Sequence, residues 1–143
     1  LSPQVEPPPQ LPLLLDRSLS ADTLFAFDRA ELRNLTQLNA LIQQIGTFQA
    51  VSRVDVLGYT DRIGTLRYNI ELSQRRAAAV RNYMQRRGVA PNLINVRGMG
   101  PSKPGQGAAC PKGMGRDRLI TCLAPDRRVE VRVFGTVSNN AQP

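Results

Sequence analysis

The sequence predicts a mixed α/β domain: a four-stranded sheet with two main helices packed on one face. Three patterns carry this reading. Val129, Val131 and Val133 alternate strictly with Arg128, Glu130 and Arg132, the two-residue period of a strand with one buried and one wet face. Leu32, Leu35, Leu38, Leu41, Ile42 and Ile45 recur at helical spacing, with Gly46 as a stop. A second helical stretch runs from about Thr65 to Arg87 and ends at Gly88.

In order, Leu19 to Phe27 reads as the first strand. Asp28 with Glu31 forms a capping-box-like start for the first helix. Val51 to Thr60 is the second strand, with Val54, Val56 and Gly58 on one side and Arg53, Asp55 and Leu57 on the other. The loop Asp61 to Gly64 leads into the second helix. Asn92 to Met99 is the third strand. Pro101 to Pro125 is a long loop with one helical turn near Met114 to Leu119, and Arg127 to Phe134 is the last strand. The order is therefore β-α-β-α-β-β, an α/β arrangement of the α+β sandwich type with a mixed sheet. Residues 1–18 read as a Pro-rich linker through Pro3, Pro7, Pro8, Pro9 and Pro12, residues 19–137 as the folded domain, and residues 138–143 as a polar, flexible tail.

A length of 143 residues suits one domain, and a hydrophobic share of 41% supports a core rather than a disordered chain. The chain begins at Leu1, which is the expectation for a fragment or processed product. No apolar run approaches the length of a membrane helix; the patch Leu11 to Leu15 is interrupted by Pro12. The absence of histidine removes His-based triads, zinc sites and proton shuttles, and neither a metal nor a cofactor is expected. The net charge of +8 is almost all arginine, because Lys103 and Lys112 are the only lysines. These arginines are scattered rather than clustered, and tryptophan is absent, so a nucleic-acid surface is poorly supplied. Cys110 and Cys122 form either a disulfide, worth about 3 kcal/mol at most, or two free thiols.

The second helix carries the informative misfit. On a helical wheel Leu66, Ile70, Leu72, Ala77, Val80, Tyr83 and Met84 share an arc of about 160°, the predicted buried face. Asn69, Ser73 and Arg76 fall inside that arc and stack along one stripe, whereas Arg75 falls on the solvent side. A buried arginine is costly without an anionic partner, and the nearest candidate in sequence off the helix's polar side is Asp61, at the end of a strand where ligand crevices form. Two readings follow from these residues. One is a structural Asp61–Arg76 ion pair. The other is a pocket that holds the two charges apart and receives a zwitterion, with Asp61 on the ammonium, Arg76 on the carboxylate, and Asn69 and Thr60 orienting them. Asp61 with Asp28 as an acid/base pair for glycan cleavage is a third possibility, but nothing in the sequence supplies a raised carboxyl pKa, and the chain is expected not to be an enzyme.

Gly58-Tyr59-Thr60-Asp61, followed by Asn69-x-x-Leu72-Ser73-x-x-Arg76-Ala77, resembles the OmpA-like peptidoglycan-binding domain. So do Phe27-Asp28, Arg97-Gly98-Met99-Gly100 and Asp126-Arg127-Arg128-Val129-Glu130, in the family's order over about residues 20–136. The stretch from Cys122 to Arg128 looks especially like porin-type OmpA proteins with a C-terminal disulfide loop, which implies a Cys110–Cys122 bond. The resemblance implies a periplasmic domain of a Gram-negative outer-membrane protein that binds peptidoglycan through diaminopimelate of the stem peptide. It assigns that ligand to Asp61 and Arg76, with Asn69, Leu72 and Thr60 supporting the pocket and the backbone near Asp28 as a further contact. It also implies a parent anchored in the membrane by sequence N-terminal to this domain, and related anchors of the Pal lipoprotein or MotB stator type are the alternative. The run Asp126-Arg127-Arg128 is expected to be a salt-bridge network at the start of the last strand.

Overall fold

The computed structural model describes residues 12–103 and 105–136. Most of the expected linker and the expected tail at 138–143 lie outside the described residues. The sheet has four strands: β1 (Leu13–Ser20), β2 (Ala50–Thr60), β3 (Ile94–Pro101) and β4 (Arg128–Thr136), in the spatial order β1-β4-β2-β3. β4 runs antiparallel to both β1 and β2, and β2 pairs parallel with β3. The helices are a single turn α1 (Ala21–Leu24), then α2 (Thr36–Ile45), α3 (Leu66–Arg86) and a short α4 (Arg116–Cys122). The predicted mixed four-stranded sheet with two main helices is therefore the observed fold.

The core lies between one face of the sheet and α2 and α3. Val54, Val56, Val129, Val131 and Val133 supply the sheet side, fully buried, as their alternation predicts. Leu38, Leu41, Ile42 and Ile45 of α2 and Ala77, Val80 and Met84 of α3 close over them. The valine, leucine, isoleucine and methionine side chains among these are each worth about 1.5–3 kcal/mol when fully withdrawn from water.

Three expectations need correction. The first strand is Leu13–Ser20 rather than Leu19 to Phe27, so residues 13–18 of the expected linker belong to the sheet. Proline bias ends at Pro12, and the strand beyond it pairs with β4 from Leu13↔Phe134 to Ser20↔Arg128, burying Leu15 and Leu19. The first helix begins at Thr36, not at Asp28. Asp28 instead sits at φ 60°, in a turn, and Leu32 is drawn into an antiparallel bridge with Phe25. Leu32 and Leu35 still pack on the core, from irregular chain rather than from a helix. Finally, Leu66 and Ile70 of α3 are 61% and 41% exposed, outside the core. The polar misfits Asn69, Ser73 and Arg76 are buried in that stretch, alongside Leu72.

Close packing of α3 on the sheet explains two of the glycines. Gly58 and Gly98 lie side by side in the β2–β3 register. A Cβ at Gly58 would stand 2.2 Å from the Ser73 carbonyl oxygen, and one at Gly98 would stand 2.5 Å from the Gln74 nitrogen. Ser73, the middle member of the polar stripe, is thereby structural. Its hydroxyl donates to the Ile70 carbonyl (2.8 Å) and accepts from the Gly100 N–H (3.0 Å), tying β3 to the helix. Thr65 caps α3, accepting from the Tyr68 N–H at 3.1 Å. Cys110 and Cys122 form a disulfide that pins the long loop after β3 to the end of α4, with Cα atoms 6.0 Å apart.

Gly58→Ala is expected to cost about 3 kcal/mol, because the new methyl meets helix backbone that cannot yield without moving α3. Urea unfolding checks it, and an unchanged midpoint would mean that α3 does not lie this close. Reducing the disulfide is expected to cost about 2–3 kcal/mol and to expose α4 first. Amide exchange should show α4 losing protection while β2 and β4 keep theirs.

Candidate functional site

Side chains from four places converge on one cavity of about 300 Å³ at the carboxyl end of β2. Asp22, Phe27 and Asp28 come from the chain between β1 and α2, and Thr60, Asp61, Ile63 and Gly64 from the end of β2 and its loop. Tyr68, Asn69, Leu72 and Arg76 come from α3, and Arg116, Ile120 and Arg127 from α4 and the lead into β4. All six residues singled out in the sequence for binding, Asp28, Thr60, Asp61, Asn69, Leu72 and Arg76, line this cavity.

The loop after β2 is shaped by its own polar groups. Asp61 Oδ1 accepts from the Ile63 N–H (2.9 Å), an Asx turn that folds the chain back on itself. Thr60 Oγ1 donates to the Asp61 carbonyl (2.9 Å), and Asn69 Nδ2 donates to the Ile63 carbonyl (2.9 Å). Thr60 and Asn69 thus spend these hydrogen bonds on holding the loop that presents Asp61. Leu72, 6% exposed, gives the cavity an apolar wall beside them. On the opposite side the Tyr68 hydroxyl hydrogen-bonds the Asp28 carboxylate, which raises the tyrosine pKa above its ordinary value.

Asp61 and Arg76 do not pair. The partner of Asp61 is Arg127, whose Nη1 lies 2.8 Å from Asp61 Oδ2 with both side chains largely buried. Arg127 also grips Asp22 with Nε and Nη2, each at 2.9 Å, and Nη1 donates to the Ile120 carbonyl at 2.9 Å. The bidentate hydrogen bond to Asp22 is the largest influence that raises the Arg127 pKa, with burial opposing it. The expected salt-bridge network at the start of β4 is real, but it disperses: Arg127 turns to Asp61 and Asp22, while Asp126 accepts from the Ala108 N–H (2.8 Å). Arg128 points to the other face of the sheet, over the Tyr59 ring at 3.9 Å.

Arg76 is 5% exposed and forms no ion pair among the described residues. Its Nε donates to the Arg29 carbonyl (2.9 Å), and its guanidinium lies 5.1 Å over the Phe25 ring. Burial pushes its pKa below the ordinary arginine value, against the pull of the Asp22 and Asp28 carboxylates, and the side chain remains a cation. No fully buried side-chain nitrogen or oxygen lacks a partner among the described residues. The two Nη atoms have no hydrogen bond among the described residues, so neither is fully buried, and Arg76 lines the cavity. Arg76 is clamped from behind, with its donors free in front.

The arrangement can receive an anionic group at Arg76 and a cationic group at the Asp61 carboxylate, with Leu72 between polar ends. Sequence reasoning missed Arg127, Tyr68, Arg116 and Ile120 as pocket residues. The charged motif at 126–128 was the only signal for Arg127. Nothing in the long loop marked which side of α4 would face a cavity.

The OmpA family model matches residues 24–118, two thirds of the chain. Outer membrane protein P5 of Haemophilus influenzae is 45% identical over 121 residues, covering 83% of this chain and 34% of that protein. Outer membrane protein A of Escherichia coli O157:H7 is 43% identical over 129 residues, covering 88% and 37% respectively. The chain thus spans about a third of the length of these relatives. Among solved structures, the cell wall anchor of the T6SS from Pseudomonas aeruginosa superposes with a TM-score of 0.64 at 26% identity, covering 84% of this chain and 80% of that one. With the match extending through β2, α3, β3 and the start of α4, this chain belongs to the OmpA family.

Proposed function

We propose that this domain binds peptidoglycan non-covalently through the diaminopimelate of the stem peptide, and so ties an outer-membrane parent protein to the cell wall from the periplasmic side. The observation that carries the reading is the buried Arg76 guanidinium, which has no ion pair among the described residues and lines a cavity that also presents the Asp61 carboxylate. A zwitterionic amino-acid head fits that pair: its carboxylate takes the Arg76 Nη donors and its ammonium joins Arg127 on Asp61. The methylene chain of diaminopimelate then lies along Leu72, and Tyr68 with Asp28 borders the entrance. Thr60 and Asn69 act by positioning the loop. The domain makes and breaks no bonds, and many weak contacts on one sacculus supply avidity. The outer-membrane placement draws on the P5 and OmpA relatives, outer membrane proteins of which this chain covers about a third, and the wall-anchor role on the T6SS relative.

Co-sedimentation with purified sacculi containing diaminopimelate tests this. The wild type should pellet, while Asp61→Asn and Arg76→Met, each shown to be folded, should stay in solution. Equal pelleting of all three would point to bulk positive charge as the source of binding.

The two arginines should separate binding from stability. Arg76→Met is expected to change the unfolding free energy by no more than about 1 kcal/mol, because an apolar side chain removes a desolvated charge that no carboxylate contacts directly among the described residues. Arg127→Met is expected to cost about 3 kcal/mol, because it strands Asp61 and Asp22 together. Urea unfolding of both variants reads the difference, and a larger loss for Arg76→Met would make Arg76 a structural residue.

A further inference from the structure

Helix α4 brings Arg116 and Ile120 to the cavity wall, four residues apart and so on one helical face. Ile120 is already committed, since its carbonyl accepts from the same Arg127 Nη1 that holds Asp61. Arg116 is not. Its side chain is exposed at the cavity rim and has no hydrogen bond or ion pair among the described residues. The other charges of the cavity have assigned work: Arg127 binds Asp22 and Asp61, Asp28 takes the Tyr68 hydroxyl, and Arg76 is anchored to Arg29. A zwitterion seated between Asp61 and Arg76 leaves one guanidinium over.

We propose that Arg116 is a second carboxylate-binding residue, and that the site selects a ligand carrying one ammonium and two carboxylates. Resting on the diaminopimelate reading above, the second group is the chain-terminal carboxylate of a stem peptide that ends at its diamino acid. There the side chain of that residue supplies the zwitterion for Asp61 and Arg76, and the free main-chain carboxylate meets Arg116. Extension of the peptide by another residue converts that carboxylate to an amide and removes the partner of Arg116. The disulfide at the far end of α4 holds the helix against the loop at Cys110, which keeps Arg116 at the rim without any bond of its own.

Calorimetric titration of a synthetic tripeptide, L-Ala–γ-D-Glu–meso-diaminopimelate, with its terminal group as carboxylate or as carboxamide, tests the inference. The wild type should bind the carboxylate form about fivefold more tightly, the size expected for a charged contact at an exposed rim. Arg116→Gln should lose that preference while keeping the carboxamide affinity, and Arg116→Lys should restore part of it. Equal wild-type affinity for the two peptides, or an equal loss for both in Arg116→Gln, overturns the role of Arg116. Asp61→Asn run alongside separates the two readings: loss of both peptides sustains the pocket even where Arg116 fails. A wild type that binds neither peptide overturns the diaminopimelate reading and this inference with it.

Discussion

The close seating of α3 on β2 and β3 is the constraint on which the site depends. Glycine at 58 and 98 lets helix backbone approach strand backbone to a distance that any side chain would forbid. Ser73 and Gln74 then stitch the helix to β3 through the Gly100 and Gly98 amides, at 3.0 and 2.7 Å. With the helix fixed in height and rotation, Asn69 and Leu72 fall beside the end of β2, and Arg76 falls one turn further in. The polar stripe that looked anomalous on a helical wheel is thus divided by function. Ser73 locks the helix, Asn69 shapes the loop, and Arg76 alone keeps donors uncommitted.

Charge in the cavity is distributed so that the two groups facing a ligand differ in kind. Asp61 is pre-satisfied: Arg127 and the Ile63 amide hold its carboxylate in a largely buried place. Arg76 is under-satisfied, with a carbonyl and an aromatic ring where a carboxylate would normally stand. A carboxylate arriving from outside therefore finds a cation already desolvated and fixed in orientation, and pays little of the ordering cost that a flexible surface arginine would exact. Arg127 couples the remaining pieces, since one guanidinium joins Asp22 after β1, Asp61 after β2 and Ile120 of α4.

The long segment between β3 and β4 has few apolar residues to hold it down, and covalent and polar ties replace them. The disulfide joins Cys110 to the end of α4, and Asp126 binds the Ala108 amide. These ties place a seven-residue helix, too short to be stable alone, at the wall of the cavity. They make an insertion between two strands part of the site.

The strands and helices whose side chains repeat on one clear period were readable from the chain itself. The alternating valines of β4, the bounds of β2 and the capped helix from Thr65 follow from spacing, because those residues occupy one face each in any packing that buries them. Thr60, Asp61, Asn69 and Arg76 were legible for a related reason: polar groups on an apolar arc, beside a carboxylate at a strand end, conflict with burial unless something meets them, whereas Leu72 and Asp28 came only from the resemblance to the OmpA-like domain. Local pattern misplaced β1 and the start of α2, because Leu13–Ser20 is a strand only by pairing with β4, and Leu32 leaves its helical register only because Phe25 lies opposite. The partner of Asp61 was beyond any local rule. Arg127 is 66 residues away, and only the fold brings it nearer than Arg76. Sequence determined which residues could not be ordinary core; tertiary structure decided which charge each would face, because ion pairing depends on distance in space and not along the chain.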